Sequence, residues 1–194
     1  NEEEDQTRWE ETARKAAEIY NALKKKHRIL TSGGDILLSL LLVRSGKERE
    51  AVTEDAKACA ERLSDHDLDP KSLQALCRVL SLADGTPDEK CERFTRLYEL
   101  LKERGRKYGK EYQIPMLGLA AMLPQEIEEI AEDIIDVDNY LSKEDMYKGI
   151  VPRYSKTVRL MHAAMVVAGS GGASQNLYIA MEITMWMLFD VLFI

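Results

Sequence analysis

The residues with most chemical reach are three histidines, three cysteines and two groups of charge. His27, His66 and His162 are far apart in the chain. No glutamate has a histidine three residues later. The Glu-x-x-His motif of a di-metal carboxylate centre is therefore missing. His162 sits in the apolar run RLMHAAM, where a lone imidazole reads as a satisfied core residue before it reads as a ligand or base. Cys59, Cys77 and Cys91 form an odd set with no CxxC. They fall on the apolar faces of helices, where a thiol acts as a small hydrophobe. The sequence shows no base poised to activate any of them, so nucleophilic catalysis has no support.

The acidic run Glu126, Glu128, Glu129, Glu132, Asp133, Asp136 and Asp138 has helical spacing and reads as a solvated outer face. Asp136-x-Asp138 opens like a calcium loop, but the glycine and closing glutamate such a loop needs are missing. Gly169-Ser-Gly-Gly-Ala-Ser174 precedes a helix start, a place where phosphate can bind. It has neither the Lys-Ser/Thr of a P-loop nor GxGxxG after a strand, so it reads as a connection or hinge. We expect no metal and no cofactor. Arg153, Tyr154, Lys156, Arg159 and His162 cluster near one helix start, and Tyr112 and Gln113 hold the corresponding place one unit earlier. Tyr112, Arg153, Tyr154, Arg159 and His162 are thus the candidate binding rim, for an anionic ligand or a partner. The plainer reading is an ordinary charged helix start.

Helices must position these groups, since nearly every segment has the helical period and no convincing strand is found. Residues 1–28 form an N-terminal helix, with Trp9, Ala13, Ala16, Tyr20 and Leu23 at spacings of three and four. From residue 33 a pattern recurs: a short, very apolar helix, a turn, then a longer amphipathic one. The pairs are DILLSLLLV with Glu48–Ser64, LQALCRVLSLA with the helix after Thr86, and IPMLGLAAML with the helix after Pro124. A fourth pair joins Pro152–Ala168 to the terminal stretch. Asp69-Pro70 reads as an N-cap with proline in the first turn. Thr86 with Glu89 has capping-box spacing, and Ser142 with Asp145 looks like a further cap. Leu38, Leu76, Leu117 and Leu160 occupy similar places in the short helices, roughly 40 residues apart.

The last stretch, Leu177–Ile194, reads LYIAMEITMWMLFDVLFI. It falls short of the roughly 20 uncharged apolar residues of a membrane span, and Glu182 and Asp190 interrupt it. On a helical wheel Ala180, Ile183, Thr184, Met187, Leu188, Val191 and Ile194 make one apolar face. Tyr178, Glu182, Trp186, Phe189 and Asp190 fall on the other side and are the candidate interface. We expect a packed or interfacial helix, not membrane insertion.

A net charge of −7 argues against nucleic acid, whose affinity comes from basic side chains facing phosphate. The odd thiol count and an acidic start, NEEEDQTRWEE, suit a cytoplasmic protein with no secretory signal. The first residue is Asn1, which points to a longer parent chain. LTSGGDILLSLLLV and IPMLGLAAMLP with EEIAEDIIDVDNYL resemble a bacterial all-helical family known only as a domain of unknown function. The resemblance runs from Ile29 onward. It implies a bacterial, cytoplasmic protein without known activity, and it carries over no functional residue.

The expectation is one all-α domain over residues 1–194, an array of antiparallel helical hairpins that is solenoid-like or an irregular bundle. The leading function is a non-enzymatic scaffold that binds a protein partner or itself through the terminal helix. The alternative is a small-molecule-binding protein or enzyme with a pocket near Arg159 and His162.

Overall fold

The fold is known from a computed structural model that describes residues 7, 10–18, 21, 43, 46–109, 113–148 and 153–171. It is all-α, with no strand among the described residues. Residues 10–18 are helical, with Ala16 buried and Glu11–Lys15 and Arg14–Glu18 paired one turn apart on the outside. The following elements are α1 (Arg49–Arg62), α2 (Pro70–Leu82), α3 (Pro87–Glu103), α4 (Gln113–Ala121), α5 (Ile127–Leu141), a short 3-10 turn (Asp145–Tyr147) and α6 (Lys156–Ser170).

Local chemistry sets most of these boundaries. Asp69 caps α2 by accepting from the amides of Lys71 and Ser72, and Pro70 fills the first turn. Thr86 and Glu89 complete a capping box at α3: Thr86 Oγ1 accepts from the Glu89 amide at 3.3 Å, and Glu89 Oε2 accepts from the Thr86 amide at 2.8 Å. Gly85 has φ 101°, which a residue with a Cβ adopts only under strain. Two expectations fail here. Ser142 caps nothing ahead of it; its hydroxyl turns back to donate to Asn139 O at 2.7 Å, and Glu144 precedes the 3-10 turn. The helix expected from Pro124 starts at Ile127. The carbonyls just before it, of Ala121, Leu123 and Gln125, are taken by the Arg93 guanidinium at 2.7–2.8 Å. That holds the turn after α4 out of the helix.

The helices pack in two rows. The more apolar ones follow one another, α2 against α4 and α4 against α6; the more charged ones do the same, α1 against α3 and α3 against α5. The two rows also touch, as α1 on α2 and α5 on α6. Every residue of α4 is buried, which explains why IPMLGLAA has no polar face. Leu76, Leu117 and Leu160, at matching places in the apolar helices, are all in the core. At Gly118 of α4 a Cβ would lie 2.5 Å from Leu76 Cδ1 of α2. Any larger residue there would force that buried leucine to shift.

The acidic side of α5 is less free than the sequence suggested. Glu128 pairs with Arg96 at 3.0 Å and Glu132 with Arg104 at 2.5 Å, both bridging α5 to α3. These pairs are half exposed, so each contributes little to stability. Asp138 departs from the expected solvated face altogether: it is buried.

Candidate functional site

Asp138 is on α5 in the same register as Ile127, Ile130, Ile134 and Leu141, so the helix turns it into the core. A carboxylate there must be paired. Arg159 Nε on α6 donates to its Oδ1 at 2.8 Å, and Arg106 Nε donates to its Oδ2 at 3.3 Å. Arg106 also reaches Asn139 Oδ1 at 2.6 Å and the Arg104 carbonyl at 2.9 Å. Gly105, with φ 77°, turns the chain after α3 so that Arg106 can point back to α5.

The same loop and the start of α4 also bond to α6. Tyr108 is buried, and its hydroxyl donates to the Leu160 carbonyl at 2.7 Å. Burial, with the Asp138 charge as a second cause, raises the Tyr108 phenol above its ordinary range and keeps it a donor. Gln113 Nε2 donates to the Thr157 carbonyl at 2.9 Å, while its Oε1 accepts from the Gly109 amide at 3.2 Å. One carboxylate, two guanidiniums, a phenol and an amide thus tie α4, α5, α6 and the loop after α3 together.

Beside this knot lies an aromatic group. Tyr147, Tyr154 and His162 have ring centroids 5.6–6.0 Å apart. The Tyr154 amide donates to the Met146 carbonyl at 3.0 Å, which holds Tyr154 against the 3-10 turn. Burial lowers the imidazole pKa of His162 below 6.5. Burial and the neighbouring Tyr154 raise the Tyr147 phenol. The Tyr147 hydroxyl and His162 Nδ1 are hydrogen-bonded at 2.5 Å, the donor being set by the tautomer of the neutral imidazole. Arg153 is exposed and its guanidinium lies 5.7 Å from the Tyr154 ring centre.

The structure therefore brings together Arg153, Tyr154 and His162 of the candidate rim. Arg159 lies on the same helix, but its Nε is turned to Asp138 rather than outward. Tyr112 lies outside the described residues, as do Tyr178, Glu182, Trp186, Phe189 and Asp190. Sequence reasoning missed Asp138, Arg106, Tyr108 and Tyr147. For Asp138 a signal was present, since a carboxylate in the apolar register of a helix calls for a cation from elsewhere.

The chemistry open to this arrangement is modest. The imidazole is neutral and its Nδ1 is occupied, the phenol holds its proton, and the buried carboxylate has two cationic partners. What reaches the surface is the half-buried Tyr154 and His162 rings, over a buried Tyr147, with one exposed guanidinium, Arg153, a set suited to contact more than to proton transfer. Among the described residues no group of three His, Cys, Asp or Glu side chains is placed to hold a metal ion. Among them, too, no helix is long and apolar enough to cross a membrane.

The family of this chain is shown by comparison: it belongs to the family described as protein of unknown function (DUF4003), whose profile matches residues 1–193. That match takes in LTSGGDILLSLLLV and IPMLGLAAMLP and reaches back beyond Ile29. No curated protein and no solved structure matches the chain.

Proposed function

We propose that the chain is a non-enzymatic helical scaffold that docks a protein surface, first of all a second copy of itself. The docking face runs over the end of α5, the 3-10 turn and α6. One observation carries this reading: Tyr140, Met146 and Val166 stand 65%, 45% and 50% exposed on those three successive elements. Single exposed apolar residues are common. Here Met146 adjoins Tyr147 and its carbonyl accepts from the Tyr154 amide, and Val166 lies one turn from His162 on the same side of α6. Aromatic residues and arginine are the types that anchor protein contacts, and Arg153 with Tyr154 supplies both. Read as a helix, Leu177–Ile194 offers a second apolar and aromatic surface to the same association, through Tyr178, Glu182, Trp186, Phe189 and Asp190. A small-molecule pocket at Arg159 and His162 has less support, because the Asp138 carboxylate already engages Arg159.

Sedimentation equilibrium over roughly a hundredfold range of concentration tests the proposal. The expected result is a mass that rises above the 22.1 kDa of one chain, and a V166E variant that stays at that mass. A wild-type chain that remains at one-chain mass throughout contradicts it.

A further inference from the structure

The second unusual place in the molecule is the contact between α1 and α3. Lys90 is only 1% exposed, and its Nζ donates to Asp55 Oδ2 at 2.5 Å. The other carboxylate oxygen lies 3.5 Å from Cys59 Sγ, one helical turn further along α1. Across the helix contact, Cys91 Sγ reaches the Cys59 carbonyl at 3.9 Å. Arg62 closes the outer side: one guanidinium nitrogen donates to the Ala58 carbonyl at 3.1 Å, and the group pairs with Asp88 at the start of α3. Two thiols thus adjoin between two cations and their carboxylate partners, Asp55 and Asp88, in a frame far more polar than packing alone needs.

We propose that Cys59 and Cys91 are a redox pair, oxidised by hydroperoxides to a disulfide that staples α1 to α3. Cys91 is the attacking thiol. Its sulfur is favoured as a thiolate first by the Cys59 S–H, against burial, and then by the Arg62 and Lys90 charges. Cys59 is raised and holds its proton, chiefly through that same contact and through burial. In the first step the Cys91 thiolate attacks one peroxide oxygen and the O–O bond breaks. The leaving hydroxide, or alkoxide from an organic hydroperoxide, takes up the proton that the Cys91 thiol released, giving water or alcohol, and Cys91 is left as the sulfenic acid. In the second step the Cys59 sulfur attacks the Cys91 sulfur. The S–O bond breaks, and hydroxide leaves with the Cys59 proton as water. Two thiols are oxidised and one hydroperoxide is reduced. Cys77 takes no part: it is buried like the pair, but it lies on α2 rather than in the α1–α3 contact, and burial pushes its thiol up to about 12.

The test is intact mass measurement of the folded chain after hydrogen peroxide, followed by peptide mapping without reductant. The expected result is a loss of about 2 Da, reversed by dithiothreitol, with Cys59 and Cys91 in one linked peptide pair. C77S should behave like the wild type. C59A should instead gain about 16 Da at Cys91, and C91A should show neither change. No mass loss in the wild type, a link through Cys77, or a loss of 2 Da only in denaturant overturns the proposal. The wild-type map decides the matter even if a cysteine variant fails to fold.

Discussion

Replacing Asp138 by alanine should be among the most damaging single changes in the chain. The carboxylate is 4% exposed and accepts from Arg159 at 2.8 Å and Arg106 at 3.3 Å. Removing one member of a buried charge cluster costs about 3–5 kcal/mol, because the charges left behind have no compensation. Here the stranded guanidiniums are 16% and 22% exposed, so water relieves part of the cost, and about 3 kcal/mol is the reasoned figure. For a chain of this length that shifts the melting midpoint down by about 6–12 °C. D138N keeps the volume and some hydrogen bonding but removes the charge, and should cost about 2 kcal/mol. Urea unfolding monitored by circular dichroism gives both values. A double-mutant cycle of D138N with R159M should show coupling of at least about 1 kcal/mol. A D138A loss below about 1 kcal/mol would refute the reasoning, for the knot would then not be what holds α5, α6 and the Arg106 loop together.

Three more changes read other parts of the account. G118A places a Cβ 2.5 Å from Leu76 Cδ1 in the core; overpacking at about 1–3 kcal/mol should outweigh the helix-propensity gain of about 1 kcal/mol, leaving a net loss in urea unfolding that grows in G118V. T86A removes the capping box of α3 and should cost about 1 kcal/mol in the same assay. His162 has its pKa lowered from 6.5 in the folded chain, so the neutral imidazole contributes stability above the unfolded value. That contribution is lost as pH falls through the folded value. The wild type should therefore lose stability more steeply than H162Q as pH drops below 6.5, and equal slopes would contradict the burial argument.

Much of the frame can be read from the sequence because it is local. The Asp69-Pro70 cap and the Thr86–Glu89 box depend on residues within one turn, and they form where their spacing says. Period alone places Leu76, Leu117 and Leu160 inside. What needed the fold was the pairing of charges across elements. Asp138 looked like one more member of an acidic run, yet it shares the register of Ile134 and Leu141. Lys90 likewise lies in register with Phe94, Leu97 and Leu101, and it is buried. A charge in an apolar register announces a partner, but only the approach of α5 to α6, or of α1 to α3, says which one. Ser142 misled for the opposite reason: a serine at a helix end can bond forward or backward, and sequence does not choose between them. In the candidate rim, Arg153, Tyr154 and His162 were found by proximity in the chain. Tyr147 was not, because it arrives from the 3-10 turn.

The docking face itself is tested most directly by amide hydrogen exchange at low and high protein concentration. If the chain associates as proposed, concentrating it should slow exchange in α6 and in the segment from Tyr147 to Tyr154, while α2 stays unchanged. Exchange in α6 that does not depend on concentration would contradict the account.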